Sequence, residues 1–346
     1  MKPAFSHAIE AGSPMTREQM RQVLEPGTVD LVDLVQDASR LRLRHFGRKV
    51  RVHILNNVQN GLCEEDCGYC GQAKNSDAAV KGYAMKKDEE ILAEAAKAKA
   101  EGSYRYCMVM SGRGPSDKAV DRMADVIRKI KGELGLKTCL SAGLMSPQQT
   151  AKLKEAGLDR LNHNLNTAKS RYSEICSTHT WEQRQDTLRN ARQAGIELCS
   201  GFIFGMGESL EERLDMAEQC KELAPESVPV NFLLPIEGNR VSAPQDLSPE
   251  TCVRILCLLR YVNPTAEIRM AAGREHHVRG LQSLALWVAN SLFADGYLLS
   301  RGQESDATMS LIRDAGFEPE GLPASLTPPT SNSSYVELKP AVARAT

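Results

Sequence analysis

Cys63, Cys67 and Cys70 stand at CxxxCxxC spacing in the segment GLCEEDCGYCG, residues 61–71. Three thiolates this close in sequence supply three ligands where a 4Fe-4S cube has four irons, and the fourth iron is left open. An open iron on a redox cluster is a place for chemistry. Other uses of the three thiols fit less well. A structural zinc site closes with four ligands, commonly as two pairs, and no second pair or CxxH follows nearby. A disulfide framework is improbable in a chain this long without a secretory signal. Plain buried thiols leave the surrounding glycine, acidic and polar residues unexplained.

Composition narrows the partners. The chain has 346 residues and a formal net charge of −1, which gives no electrostatic case for nucleic acid or for an anionic membrane. No apolar run approaches the length of a bilayer span, and the N-terminal stretch has no signal-peptide core. Ten cysteines in such a chain point to a reducing cytoplasm and to metal or redox use.

The elements that must position the cysteines follow from periodicity. Short apolar runs fall at 50–58, 104–111, 137–142, 159–165, 197–204, 227–234, 267–272 and 291–299. Helical patterns separate them at 88–101, 117–134, 146–156, 181–194, 210–223, 249–261 and 280–289. Strand–helix alternation predicts parallel strands with crossovers. Eight such units close naturally into an α/β fold of the (β/α)8 TIM type, with a doubly wound open sheet as the alternative. Residues 1–48 read as a helical N-terminal extension, with helical spacing at 16–23 and 30–45. The barrel then spans 49–317, and 318–346 reads as a mobile tail, rich in Pro, Ser, Thr and Ala from 323 onward.

Active sites of such barrels gather at the C-terminal ends of the strands. The cysteine loop follows the first run. Cys107, Cys139 and Cys199 lie in the second, third and fifth runs, Asn162 and Asn164 in the fourth, Asn231 in the sixth and Arg269 in the seventh. If these side chains point inward, three thiols and a guanidinium share one cavity with several amides. A lone strand cysteine is usually a small buried hydrophobe, but placement on three strands of one barrel weakens that reading. It stands for Cys176, Cys220, Cys252 and Cys257. Burying an unpaired guanidinium is expensive, so Arg269 needs an anionic partner, and a thiolate-ligated cluster would be one. Alternation turns His163 outward as a structural residue.

From residue 60 to residue 317 the sequence resembles the biotin synthase family of the radical S-adenosylmethionine superfamily. The matching segments are GLCEEDCGYCGQ (61–72), YCMVMSGRGPS (106–116), LNHNLNT (161–167), CSGFIFGMGES (199–209), ESVPVNFL (226–233) and IRMAAGRE (268–275). The CxxxCxxC motif alone indicates the superfamily; Cys107, Cys139, Cys199 and Arg269 together are more specific. The resemblance implies that these four hold a 2Fe-2S cluster, with Arg269 as the unusual ligand. It implies that S-adenosylmethionine chelates the open iron of a 4Fe-4S cluster on Cys63, Cys67 and Cys70. Reductive cleavage then gives a 5′-deoxyadenosyl radical that takes hydrogen from dethiobiotin, and the second cluster gives up sulfur to make biotin. Such an enzyme is a sulfurtransferase, cytoplasmic and homodimeric, served by a reducing partner such as flavodoxin or ferredoxin.

Individual roles follow from the same resemblance. Tyr69, Asn164, Asn166, Arg184, Gly205 and Glu208 match positions near S-adenosylmethionine. Asn166 is a departure, since some relatives carry an acidic residue there. Asn162, Asn164 and Asn231 match amides that face the ureido ring of dethiobiotin or the ribose, and an amide offers the donor and acceptor pair that a urea needs. Two rival functions are a different radical barrel enzyme, methylornithine-synthase-like or hydrogenase-maturase-like, and a non-catalytic metal-binding protein. The four extra residues argue against the first. Anaerobic reconstitution separates the second.

A pair of threonines receives the substrate carboxylate in many relatives. Here Leu298 and Leu299 match the leucines before that pair, which puts Ser300 and Arg301 in its place. Arg301 offers a charge-assisted donor for the lost hydroxyl. If it binds the tail, Arg301→Ala weakens dethiobiotin binding by about 1.5–3 kcal/mol. Calorimetric titration checks this, with the methyl ester binding both proteins almost equally. Unchanged affinity for dethiobiotin leaves Ser300 and the main chain as the anchor.

Overall fold

A computed structural model describes residues 3–61, 63–300 and 302–320. Three helices come first: α1 (Phe5–Glu10), α2 (Arg17–Leu24) and α3 (Leu31–Phe46). The barrel then begins with β1 (Lys49–Gln59), α4 (Asp88–Ala100), β2 (Arg105–Met110), α5 (Asp117–Lys129), β3 (Lys137–Ser141), α6 (Pro147–Glu155) and β4 (Arg160–Asn162). It continues through α7 (Tyr172–Ile175), α8 (Trp181–Gln193), β5 (Glu197–Cys199), β6 (Phe202–Phe204), α9 (Leu210–Leu223), β7 (Ser227–Phe232), α10 (Pro249–Val262) and β8 (Glu267–Met270). Last come α11 (Arg274–His277), α12 (Gln282–Ala285), β9 (Ser291–Ala294), α13 (Ser305–Asp314) and β10 (Glu318–Pro319).

Every ladder is parallel, and β9 pairs back onto β1, so the sheet closes as the strand–helix alternation predicts. The barrel has eight staves because β5 and β6 are two parts of one. Cys199 pairs with Ser227 and Phe202 with Val230, so the register does not slip across the break. At the break Gly201 stands opposite Pro229. Proline has no N–H to give the ladder. A Cβ on residue 201 would sit 2.0 Å from the Pro229 carbonyl oxygen. The two backbones come this close only because residue 201 has no side chain.

Hydroxyl caps set the helix starts. Thr16, Ser146, Thr180 and Ser209 each form a capping box with a Gln or Glu three residues on, satisfying N–H groups that the first turn leaves orphaned. Two helical patterns are shorter than their sequence spacing predicts. The 117–134 pattern leaves α-geometry at Ile130 for a wider turn that ends on left-handed Gly135, and the 280–289 pattern breaks into short turns. The fourth strand stops at Asn162 rather than 165, and the eighth stops at Ala294, where Asp295 and Gly296 turn with φ of 62° and 117°.

The first three helices cover α10, and every residue of α10 from Cys252 to Val262 is buried. An ordinary barrel helix is apolar along one stripe; one covered on its outer side can be apolar all round. Arg254 donates to the Val23 carbonyl at 3.1 Å and the Val29 carbonyl at 2.6 Å, and Tyr261 Oη to Asp37 Oδ2 at 3.0 Å. At the other end of the chain, Glu318 and Pro319, assigned to the tail from sequence, pair with Lys49 and Val50. Residues 321–346 of the expected tail lie outside the described residues.

Gly201→Ala forces β5/β6 away from β7. The expected cost is roughly 1–3 kcal/mol, the usual range for overpacking. Urea denaturation followed by circular dichroism checks it, and an unchanged midpoint would show that the two strands tolerate a side chain there.

Candidate active site

The barrel axis holds two connected chambers. The lower one, about 100 Å³, is lined by Cys107, Cys139, Cys199 and Arg269. Parallel register brings them together: Cys107 pairs with Cys139 across β2 and β3, and Arg269 on β8 lies beside Ser291 on β9. The three thiols pack in one buried cluster with Ala271 and Phe293. Cys139's proton holds Cys107 below the usual thiol range, while Cys139, against Cys107, is pushed up to about 12. Cys199 is pushed up by its bond to Cys139 and by burial. The Arg269 guanidinium points at this group, with Nη1 at 3.7 Å from Cys199 Sγ, and stacks over Phe293 with 5.0 Å to the ring centroid.

Arg269 also has a carboxylate partner that sequence reading does not single out. Glu267 is fully buried on the same strand, two residues earlier. It accepts from Arg269 Nη2, from Arg160 Nη1 at 3.0 Å, from His53 Nε2 at 2.9 Å and from Arg51 Nη1 at 3.2 Å. The i, i+2 spacing of Glu267 and Arg269 was the available signal, since alternate strand residues share a face. Ser227 and Ser291 hydroxyls hold the rest of the Arg269 fork, each at 3.1 Å. Burial, with Arg269 nearby, pushes His53 down to about 3, so the ring is neutral. The ion pairs around this floor join Arg51, Arg105, Arg160 and Arg269 to Glu197, Glu267 and Glu320. Arg269 is the guanidinium of this group that reaches the thiols, at 3.7 Å from Cys199 Sγ.

The upper chamber, about 360 Å³, opens above it. Asn162, Asn164, Asn231 and Phe293 line both. Asn162 Nδ2 is 3.3 Å from Cys199 Sγ and 3.2 Å from Asn164 Oδ1. Asn231 bridges Phe202 O and Ala272 N, both at 3.2 Å. Cys63, Cys70, Tyr69, Asn166, Arg184 and Ser300 also reach its wall. Arg184 turns inward from α8, donating Nε to the Asn164 carbonyl and Nη1 toward His179 Nε2 at 3.1 Å.

Other expected residues lie differently. Cys67 is not on the chamber wall; its Sγ turns to Cys176, 3.7 Å away. Gly205 and Glu208 are not on the wall either. The Glu208 carboxylate folds back onto Gly205 N, at 2.9 and 3.1 Å, and onto Arg213. Arg301 lies outside the described residues. His163 does not face outward. The strand ends at Asn162, so alternation no longer governs its direction, and His163 is buried on the chamber wall. Among the described residues its Nε2 and the Asn166 Nδ2 are buried polar atoms without a partner. Asn166 holds φ of 70°, a conformation that asparagine tolerates better than most residues.

The cysteine loop is clasped by its own acidic residues. Asp66 Oδ1 accepts the backbone N–H groups of Ser177 at 2.9 Å and Thr178 at 3.2 Å. Glu65 takes the Thr178 hydroxyl at 2.6 Å, His179 Nδ1, and Arg113 at 3.3 Å. Gly68 N bonds Ile175 O at 2.9 Å. The turn after α7 therefore fixes where the loop presents its thiols.

Glu267→Ala leaves Arg160 and Arg269 buried without their counter-charge. The expected loss is about 3–5 kcal/mol, read by chemical denaturation at neutral pH. Burial alone would raise the Glu267 pKa, but the Arg269 and Arg160 guanidiniums and the hydrogen bond from His53 hold it well below the usual value. A carboxylate depressed in the fold stabilises above its unfolded pKa, about 4.3, and that contribution is lost as pH falls. Wild type therefore loses stability in acid more steeply than Glu267→Gln. Parallel acid profiles would overturn the role of the charge.

Two family models cover most of the chain. The radical SAM superfamily matches residues 58–220, and the biotin and thiamin synthesis associated domain matches residues 229–318. The biotin synthase of Acaryochloris marina is 53% identical over 316 residues, covering 91% of this chain and 91% of the relative. That of Leptospira biflexa is 53% identical over 308 residues, covering 89% and 87%. Among solved structures, methylornithine synthase superposes with a TM-score of 0.77 at 21% identity, covering 91% of this chain and 97% of that one. The FeFe-hydrogenase maturase from Carboxydothermus hydrogenoformans gives 0.76 at 20% identity, covering 92% and 79%. Likeness at that identity shows the barrel alone, whereas the half-identical relatives carry one name over nearly the whole length. The chain belongs to the biotin synthase family of the radical S-adenosylmethionine superfamily.

Proposed function

We propose that this chain makes biotin from dethiobiotin by sulfur insertion at the two stacked chambers. The observation that carries the reading is the lower chamber: three thiols and a guanidinium under a cavity walled by two thiols and several amides. A barrel that only cleaved S-adenosylmethionine would have no use for a second buried thiol set. The donor chemistry fits a cluster there, because a guanidinium beside three thiols favours thiolates and an anionic group.

Cys63, Cys67 and Cys70 would hold the 4Fe-4S cluster. Cys107, Cys139, Cys199 and Arg269 would hold the 2Fe-2S cluster, which is also the sulfur-giving substrate. When bound, the first cluster supplies the electron that cleaves S-adenosylmethionine. The chain's own work is to bind, orient and exclude water. Tyr69, Asn164, Asn166 and Arg184 are assigned to S-adenosylmethionine; the orphaned Asn166 Nδ2 supports a polar ligand there. Gly205 and Glu208 would act by shaping the turn after β6. Asn162, Asn164 and Asn231 would face the ureido ring, between the chambers, with Ser300 and Arg301 at the carboxylate. Amides joined to one another and to the main chain hold their orientation before substrate arrives.

The reading includes a homodimer, a reducing partner such as flavodoxin or ferredoxin, and a cytoplasmic location. Among the described residues no helix is long and apolar enough to cross a membrane.

An anaerobic assay with dethiobiotin, S-adenosylmethionine and a reductant, read by mass spectrometry for biotin, tests the reading. Cys67→Ala loses both 5′-deoxyadenosine and biotin. Cys139→Ala loses biotin and only the 2Fe-2S share of iron and sulfide. Equal loss of both clusters from Cys139→Ala would make that residue a support of the fold instead.

A further inference from the structure

Cys176 belongs to neither cluster set, yet it stands against the cysteine loop. Its Sγ is 3.7 Å from Cys67 Sγ and 3.3 Å from His179 Nδ1. The three donor atoms lie within 4.8 Å of one another, and Cys176 and His179 are buried. Tetrahedral zinc, with Zn–S about 2.3 Å and Zn–N about 2.0–2.1 Å, places neighbouring donors roughly 3.5–3.8 Å apart. The observed separations are close to those edges. Zinc with three protein ligands takes water as its fourth; Glu65, which bonds His179 Nδ1, stands outside the group of three.

We propose that Cys67, Cys176 and His179 form a binding site for a soft divalent cation of the zinc class, with water as the fourth ligand, in chain that has not received its first cluster. Two thiolates and an imidazole are donors such a cation selects. Binding releases the two thiol protons to solvent. The imidazole keeps its single proton by moving it from Nδ1 to Nε2, so Arg184 Nη1 gives up its bond to Nε2. The bound set is neutral, because the two thiolates balance the dication and the imidazole and water carry no charge. Cys67 is shared with the proposed 4Fe-4S set. Zinc and that cluster therefore exclude each other, and this competition rests on the cluster assignment of Cys67, whereas zinc binding itself does not.

The test is anaerobic titration of cluster-free, full-length protein with zinc alone. X-ray absorption is expected to show two sulfur and two nitrogen or oxygen neighbours. Cys176→Ala and His179→Gln should each weaken binding by more than about 100-fold, beyond the 10–100-fold that loss of an outer-shell partner costs. Cys63→Ala should leave zinc affinity unchanged. Zinc should block 4Fe-4S reconstitution in wild type and not in Cys176→Ala. A three-sulfur shell, or loss of affinity in Cys63→Ala with none in Cys176→Ala and His179→Gln, would put the metal on the CxxxCxxC thiols and overturn the proposal. Reconstitution of Cys176→Ala without zinc keeps the two readings apart. Full cluster content there is expected, and a deficit would place Cys176 among the cluster ligands and also overturn it.

Discussion

Glu267 receives Arg269, Arg160, His53 and Arg51 on one side chain that has no exposure to water. A buried carboxylate is tolerable only when its lone pairs are filled and its charge is met. Meeting it draws residues from β1, β4 and β8 to one point at the barrel floor, so the charges also fix how those strands sit around the axis. The guanidinium that faces the thiols is thereby oriented from below. Arg269 divides its fork: Nη2 is held by Glu267 and Ser227, Nε by Ser291, and Nη1 remains turned to Cys199.

The upper chamber depends on a different kind of constraint, backbone proximity. Gly201 packs under the Pro229 carbonyl, its N–H reaches Asn164 Oδ1 at 3.2 Å, and its carbonyl accepts Asn166 N at 3.1 Å. One missing side chain thus sets the spacing of β5/β6 against β7 and the placement of two wall asparagines. The cysteine loop is set by a third device, the clasp of Glu65 and Asp66 on the turn at 176–179. Charge at the floor, close approach in the middle and a hydrogen-bonded clasp at the rim act on one axis. Cys63 and Cys70 end up facing the space that continues down to Cys107, Cys139 and Cys199.

Much of this was legible from residues. Alternating apolar runs and amphipathic stretches gave eight parallel units, because the periods 2 and 3.6 are local properties of the chain. The inward placement of Cys107, Cys139, Cys199 and Arg269 followed once closure was assumed. Errors came where a local period ended. Extending the fourth strand past Asn162 turns His163 outward, and the 280–289 spacing predicts one helix where the chain makes short turns. In the GMGE segment, 205–208, Glu208 holds the turn together by accepting from Gly205 N and Arg213.

The sequence by itself determined the fold class, the chemistry of the two thiol sets and the family, since these depend on residue type and on spacing along the chain. Tertiary structure alone decided which charges meet. Glu267 reaches Arg160 across 107 positions, and Cys67 meets Cys176 across 109. Neither pairing leaves a trace in local periodicity, because partners that distant are chosen by barrel closure and loop docking. The cost of burying a charge or a thiol then selects, among the neighbours so produced, those that satisfy it.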